Sequence, residues 1–316
     1  MIFTITAEQD GRTVLSFLKS ILKISGSALA RLKRNERGIL ANGNHVTVRY
    51  ILRENDLLYI DEKDSEEDCN EAIAPVNLPI DIIYENDDIT IVNKPPNMPT
   101  HPSHGHTDDT LANAVAYINK ERNTPAKFRP IGRLDRNTSG LSLIARHSIS
   151  ASYLFYARQK DLIHKKYIAI LCGKIESDDS FHTISTYMKR EENSVILRCV
   201  GKSDEECAYP AVTHWRLLFS CDKISIVEAI PETGRTHQLR VHFAHIGHPI
   251  LGDDIYGAPS EHISRHALHA AFLSIPMPYS AEQVSFNAPP PEDMIQATQS
   301  ICGQDLTHIY LSKFNK

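Results

Sequence analysis

Apolar residues recur at helical spacing between Val14 and Leu22 and predict an amphipathic helix over residues 14–23. A second helix is expected to begin at Ser25 or Ser27, because a serine hydroxyl suits the N-cap position. Asn42-Gly43 then separates two strand-like runs, which indicates a tight β-hairpin. The order of helix, helix and hairpin predicts a small α/β unit over residues 1–62.

Residues 61–71 are almost uniformly polar and acidic, and they predict a mobile linker at 63–77. Beyond the linker, residues 78–316 contain many strand-like runs and few helical ones. Strands are expected within 80–93 and at 141–145, 166–172, 183–187, 195–200, 212–219 and 224–229, and helices at 109–121, 149–160, 236–244 and finally 291–301. This mixed order predicts an α+β fold with a large mixed, mainly antiparallel β-sheet flanked by helices and loops.

The composition is that of an ordinary globular protein. The chain has 316 residues, 41% of them hydrophobic, which is ample for a sizeable core. It has no apolar run of roughly 18 residues that could span a membrane, and its start lacks a basic segment followed by an apolar one. The six cysteines form no CxxC pair, which favours reduced thiols. We therefore expect a cytoplasmic protein, a monomer with no membrane contact.

The net charge of −5 hides an uneven distribution. Residues 12–53 carry nine Lys and Arg and one acid, whereas residues 54–71 carry nine acids and one Lys. A basic patch is the electrostatic mark of phosphate binding. The candidate phosphate-binding side chains are Lys23, Arg31, Lys33, Arg34 and Arg37.

One carboxylate, Asp135, stands between Arg133 and Arg136 and precedes the turn-forming residues 137–140. Catalytic groups are often carried by loops at the end of a strand, and flanking guanidinium groups favour an ionised carboxylate. The alternative is a surface aspartate in a common turn. The local residues leave both interpretations open.

The wider pattern decides between them. Arg133-Leu-Asp135, two residues and Thr138-Ser-Gly-Leu141 resembles the signature of the RluA-type pseudouridine synthases. Three more segments resemble that family in the same order: Val92-Asn-Lys-Pro-Pro96 with His101-Pro102, Lys165-Lys-Tyr-Ile-Ala169 with Gly173, and Thr233-Gly-Arg-Thr-His-Gln-Leu-Arg-Val-His242 followed by Gly247-His-Pro-Ile-Leu-Gly-Asp253 and Tyr256-Gly257. The resemblance implies a pseudouridine synthase fold and isomerisation of uridine in RNA, without cofactor or metal.

The resemblance also implies site residues. Asp135 matches the nucleophile, Tyr167 the residue stacked on uracil and the base for its C5 proton, and Arg235 the basic partner of the aspartate. Arg133 matches a position beside the flipped-out base, where it would fill the gap or grip a phosphate. Thr138, His237 and Leu239 match substrate-binding positions. The chain departs from the family at Gly132, where the family usually has histidine.

Residues 1–62 resemble the αL-type RNA-binding module of a ribosomal small-subunit protein, although Gly38-Ile-Leu-Ala-Asn42-Gly43 matches its motif loosely. By analogy, large-subunit ribosomal RNA is a more plausible substrate than transfer RNA. One alternative is an RNA-binding or ribosome-assembly factor without turnover. Another is a zinc enzyme built on histidines, at positions 101, 104, 106, 237, 242, 245 and 248, but no HExxH motif or nearby cysteine supports it.

Overall fold

The structure is a computed structural model that describes residues 1–63, 73–124, 126–192, 194–280 and 282–314. Its first unit is a small α/β sandwich. The elements are β1 (Ile2–Thr4), a 3₁₀ turn (Ala7–Gln9), α1 (Val14–Ser20), α2 (Gly26–Arg34), β2 (Ile39–Ala41), β3 (Asn44–His45) and β4 (Leu57–Ile60). The strands form one antiparallel sheet in the order β1-β4-β2-β3. The helical spacing that predicted α1 places Phe17 and Leu18 in the core of this unit.

The second unit is built on one large sheet. Its elements are β5 (Asp81–Glu85), β6 (Ile89–Lys94), α3 (Leu111–Glu121), β7 (Arg129–Pro130), β8 (Ser139–Ala145), α4 (Ser148–Gln159), β9 (His164–Cys172), β10 (His182–Arg190), β11 (Arg198–Gly201), β12 (Tyr209–Ser220), β13 (Ile224–Pro231), α5 (Gln238–His245), β14 (Leu268–Pro276), β15 (Gln283–Asn287), α6 (Glu292–Cys302), α7 (Leu306–Ile309) and a π-helical turn (Tyr310–Phe314).

The strand order is β11-β10-β12-β13-β9-β14-β8-β6-β5, with β15 paired to β14 and β7 to β8. Among the described pairs only β14 and β8 run parallel. The predicted α+β fold with a mixed, mainly antiparallel sheet is therefore confirmed. Because β14 and β8 run parallel and lie side by side near its centre, the loops that enter these two strands lie at the same edge of the sheet.

Three sequence-based predictions need correction. Strand β14 was not predicted, because it is buried along almost its whole length and shows no polar alternation. The strand expected at 195–200 begins only at Arg198. Helix α6 is not the last element, since α7 and the π-helical turn follow it and pack Leu306 and Phe314 into the main core.

Most of the predicted acidic linker lies at residues 64–72, outside the described part of the chain. Its end, residues 73–77, is packed on the second unit. The side-chain nitrogen of Asn113 in α3 donates to the carbonyl of Ala74 at 2.8 Å, and the Val76 amide donates to the carbonyl of Asn113 at 3.2 Å. The second unit therefore includes residues assigned to the linker from sequence.

The small unit contacts the second unit through α4 and the turn before β15. The Phe3 ring lies 6.2 Å from that of Tyr279, and Ile149 of α4 joins the core of the small unit. The Lys23 ammonium lies 4.8 Å from the centre of the Tyr156 ring. Arg31 donates to the carbonyls of Asp61 and Lys63. These two predicted RNA-binding side chains thus make internal contacts, whereas Lys33, Arg34 and Arg37 are exposed.

Within the described ranges, no helix is both long enough and apolar enough to cross a membrane.

Candidate active site

Asp135 lies in the turn between β7 and β8, where the Thr138 amide donates to its carbonyl at 3.1 Å. Its side chain is 29% exposed and faces a cleft of about 1170 Å³. The strand that follows must approach β14 closely, because a Cβ atom on Gly140 (φ 112°) would lie 2.3 Å from the Ala270 carbonyl oxygen. Only glycine allows this close approach, so Gly140 determines the position of the start of β8 and of the preceding turn that carries Asp135.

A buried lysine holds the loop of Asp135 from one side. The Lys94 Nζ atom donates to the carbonyls of Pro95, Met98 and Arg136 at 2.8, 2.9 and 3.1 Å. Burial lowers the pKa of this ammonium to about 7. Lys94 thus joins the loop after β6 to the residue that follows Asp135.

A buried arginine and two histidines hold the same loop from the other side. Arg265 forms a two-pronged ion pair with Asp293 at 2.6 and 2.9 Å, and its Nη1 donates to the Asn137 carbonyl at 3.0 Å. The hydroxyls of Thr138 and Ser139 are hydrogen-bonded to His266 and His269, each at 2.9 Å. The Thr138 hydroxyl, predicted to bind substrate, therefore has its partner inside the protein.

Arg240 in α5, and not Arg235, faces the carboxylate. Its Nη1 atom lies 3.7 Å from Asp135 Oδ2. Arg235 is exposed, donates from Nε to the Pro210 carbonyl at 3.1 Å and stacks over the Tyr209 ring at 5.3 Å. The partner predicted for Asp135 is therefore corrected from Arg235 to Arg240.

Arg240 is itself fixed by a second carboxylate. Its Nε and Nη2 atoms donate to the two oxygens of the fully buried Asp253, both at 2.8 Å. Asp253 also accepts from the Tyr256 amide at 3.1 Å. A bidentate pair defines the plane of the guanidinium, so the remaining Nη1 atom points at Asp135.

His237 precedes α5 in a left-handed conformation (φ 58°). Its Nε2 lies 3.9 Å from Asp135 Oδ2, and its Nδ1 is hydrogen-bonded to the Tyr256 hydroxyl at 2.9 Å. Burial lowers the pKa of His237. The ring is therefore a neutral hydrogen-bonding group at the edge of the cleft at physiological pH.

The other predicted residues line the same cleft. Tyr167 of β9 and Leu239 of α5 are buried parts of its wall, whereas Arg133 is exposed at its opening. Burial, followed by the negative charge of Asp135, raises the pKa of the Tyr167 phenol. The described lining also contains basic residues to which no role was assigned from the sequence: Arg129, Arg158, Lys165 and Arg198.

Sequence reasoning missed Arg240 although it lies in a quoted motif. The sequence does contain a signal for it. Arg240 is a charged residue between the apolar Leu239 and Val241, in a helix with little polar face, which indicates a buried charge that needs a partner. No comparable signal marks Arg265, because the Asn137 carbonyl that it contacts is 128 positions away in the chain. Such a pairing becomes visible only after the strands are assembled.

The histidines do not form a metal site in the described part of the chain, where no group of three or more potential ligands is positioned to hold an ion. His242 is instead hydrogen-bonded to the hydroxyls of Thr186 and Thr213, at 3.0 and 2.9 Å. The histidines in and beside α5 therefore have different surroundings, since His242 is bonded inside the protein and His237 lines the cleft.

The buried histidines predict an acid-sensitive fold. Burial lowers the pKa of both His242 and His269 to about 4, so the unfolded chain binds more protons than the folded one between pH 6.5 and 4. We expect the free energy of unfolding to fall on acidification through that window, by roughly 1 kcal/mol per pH unit for each histidine. Thermal melts at several pH values measure the slope, which His269→Gln should reduce. An unchanged slope in that variant, compared with the exposed His45→Gln control, would contradict the prediction.

Comparisons with known proteins agree with this geometry. A sequence model of the family described as RNA pseudouridylate synthase matches residues 88–245, which include Asp135, Tyr167 and Arg240. The uncharacterized RNA pseudouridine synthase YjbO of Bacillus subtilis (strain 168) is 35% identical over 273 residues, which cover 86% of this chain and 94% of that protein. The ribosomal large subunit pseudouridine synthase D of Haemophilus ducreyi is 33% identical over 241 residues, which cover 72% of each.

Among solved structures, human RNA Pseudouridylate Synthase Domain Containing 1 aligns with a TM-score of 0.55 and 30% identity, over 67% of this chain and 84% of that one. The resemblance seen in the sequence motifs is thus confirmed by whole-chain similarity and by fold. The chain belongs to the RNA pseudouridylate synthase family, and it is an isomerase of that class.

Proposed function

We propose that this enzyme converts uridine to pseudouridine in large-subunit ribosomal RNA, with Asp135 as the nucleophile. The observation that carries the proposal is the Asp135 carboxylate, partly exposed in a large cleft, 3.7 Å from the buried guanidinium of Arg240. Asp253 fixes the orientation of the Arg240 guanidinium. The remaining N–H groups of Arg240 therefore attract the Asp135 carboxylate by charge, and that carboxylate still faces the cleft.

The reaction needs few chemical groups. The bond between ribose C1′ and uracil N1 breaks, the base turns, a bond forms between C1′ and C5, and the C5 proton leaves while N1 gains one. A carboxylate that bonds covalently to the sugar or base divides this exchange into two easier steps. The detached uracil must meanwhile be held away from water, and the apolar wall at Leu239 and Leu268 serves that purpose.

Tyr167 has a role that depends on the state of Asp135. Burial and the Asp135 charge both raise the pKa of its phenol, so Tyr167 enters the reaction as a neutral ring on which uracil can stack. A covalent bond to Asp135 removes that negative charge and with it one of the two causes. Tyr167 can therefore give its proton to N1 of the detached uracil more readily after the covalent step than before it. The resulting phenolate then accepts the C5 proton, which restores the neutral phenol.

Two observations support ribosomal RNA as the substrate: the name of a relative and the positive charges on the first unit. The Haemophilus ducreyi relative is named for the large ribosomal subunit. The first unit presents Lys33, Arg34 and Arg37 on its surface. We propose that this unit is an RNA-binding module that docks these side chains on phosphates near the target uridine.

The exposed cations predict a salt-dependent affinity. Replacing Lys33, Arg34 and Arg37 by Gln should weaken RNA binding and reduce the slope of log K against log salt by about two to three, since each phosphate contact contributes roughly 0.7 to 0.9. Filter binding between low and moderate salt measures the slope. A control variant replaces Lys174, Lys202 and Lys223, which are exposed outside the cleft. An equal effect in both variants would argue against the docking role.

The test of the proposed function is a map of modified positions. Ribosomal and transfer RNA transcripts are incubated with the enzyme or with Asp135→Asn, labelled with carbodiimide and read by reverse-transcription stops. A new stop in large-subunit RNA, seen only with the unmutated enzyme, is the expected result. A stop confined to transfer RNA would overturn the substrate assignment. The same stop with Asp135→Asn would overturn the role of Asp135.

A further inference from the structure

The loop between β10 and β11 places two aliphatic side chains at the rim of the cleft. Val195 is 79% exposed and Ile196 is 60% exposed, and both line the same cleft as Asp135. Scattered surface aliphatic residues are common, but two adjacent ones at the mouth of a polar, basic site are not explained by folding. Nothing in the reaction derived above uses them.

This part of the loop is held in one conformation by its own hydrogen bonds. The Ser194 hydroxyl accepts from the amides of Ile196 and Leu197 at 3.2 and 2.9 Å. Arg198 Nη1 in turn donates to the carbonyls of Ile196 and Leu197 at 3.1 and 2.9 Å. The aliphatic pair is therefore presented outward on a braced turn.

The loop is also tied to the support of the nucleophile. The Arg198 amide donates to the Tyr256 hydroxyl at 2.9 Å, and that hydroxyl is hydrogen-bonded to His237. The Arg240 guanidinium lies 5.1 Å from the centre of the Tyr256 ring. One tyrosine thus links the position of Val195 and Ile196 to the position of Asp135.

The cleft fits a polyanion, since Arg133, Arg158, Lys165 and Arg198 line it. Bases of an RNA helix are apolar on their faces, so an aliphatic side chain beside phosphate-binding cations can enter a base step. Moving a nucleotide out of its stack costs a few kcal/mol. Filling the space that the nucleotide leaves reduces this cost.

We propose, on the basis of the function proposed above, that Val195 and Ile196 form an apolar wedge. The wedge enters the RNA stack beside the target uridine and fills the space left when that uridine turns into the cleft. Asp135 reacts with the turned-out nucleotide, while the wedge acts only on its neighbours. The pair is therefore a positioning element that matters when the uridine is stacked and not when it is already unpaired.

The test compares two RNAs of the same sequence around the mapped uridine, one a hairpin with the uridine stacked and the other a linear unpaired strand. The double variant Val195→Ala/Ile196→Ala should lower the rate on the hairpin at least about tenfold and change the rate on the linear strand by less than about threefold. Exchanging the two side chains, Val195→Ile/Ile196→Val, should restore the hairpin rate. Equal losses on both RNAs, or none on the hairpin, would overturn the wedge.

A binding experiment separates the wedge from the proposed function. A hairpin carries 2-aminopurine next to the uridine and is bound by Asp135→Asn, so that no turnover occurs. Fluorescence should rise on binding, and the rise should disappear when the wedge is removed but persist in Leu311→Ala, an exposed aliphatic residue outside the cleft. A rise that survives removal of the wedge but disappears in Arg133→Ala would overturn the proposal in favour of arginine. If the unmutated enzyme does not modify a hairpin on which Asp135→Asn gives the wedge-dependent rise, the result would count against the function and for the wedge.

Discussion

Asp135→Asn should abolish pseudouridine formation while leaving the fold and RNA affinity nearly intact. The amide keeps the shape of the side chain but is not a nucleophile, so we expect turnover to fall by at least about a thousandfold. The side chain is partly exposed, and in the described chain the charged Arg240 lies 3.7 Å and the neutral His237 3.9 Å from its carboxylate, so its loss should cost little stability. Tritium release from C5-labelled RNA measures turnover, and filter binding measures affinity.

A second measurement on the Asp135→Asn variant tests whether the Asp135 charge raises the pKa of Tyr167. Because the Asp135 charge raises the pKa of the phenol, its removal should lower that pKa, and ultraviolet titration of tyrosine can detect the shift. Tyr167→Phe provides the control, since it removes the titrating group. Residual turnover above about 0.1 per cent in Asp135→Asn would contradict the nucleophile assignment. An RNA affinity that falls together with turnover would point instead to a binding role.

Much of the fold was accessible from periodicity and composition. The helical spacing from Val14 and the Asn42-Gly43 turn predicted the small unit. Alternating and β-branched runs predicted most strands of the large sheet, because a half-buried strand leaves a period of two in the sequence. Strand β14 left no such pattern, since both of its faces are buried at the centre of the sheet.

The sequence predicted the position of Asp135 but not its partner. The turn-forming residues and the motif around Asp135 are local, so the sequence predicted where the carboxylate stands. Its partner depends on how α5 begins. His237 adopts a left-handed conformation and the helix starts at Gln238, which turns Arg240 toward Asp135, whereas Arg235 is exposed and hydrogen-bonded to the Pro210 carbonyl. One backbone conformation therefore decided between two arginines five residues apart, and the motif alone does not contain that information.

The variant Arg240→Met tests whether Arg240, and not Arg235, is the functional partner of Asp135. We expect turnover to fall by at least about a hundredfold, because the positive charge beside Asp135 is lost. Stability should fall by roughly 3 to 5 kcal/mol, because the fully buried Asp253 loses its ion-pair partner. Removing Asp253 as well, in Arg240→Met/Asp253→Asn, should recover much of the stability but not the activity. Thermal melts and single-turnover kinetics measure the two effects separately.

Arg235→Met is the matched control, since it makes the same change five residues earlier. The Arg235 side chain is exposed, and its described contacts are one hydrogen bond to Pro210 and the face of Tyr209, so its loss should change stability by no more than about 0.5 kcal/mol. Turnover should fall by less than about tenfold. Equal losses in the two variants would mean that substrate binding brings Arg235 to the carboxylate. A loss confined to Arg240→Met would establish that the buried pair with Asp253, and not the exposed arginine, supports the nucleophile.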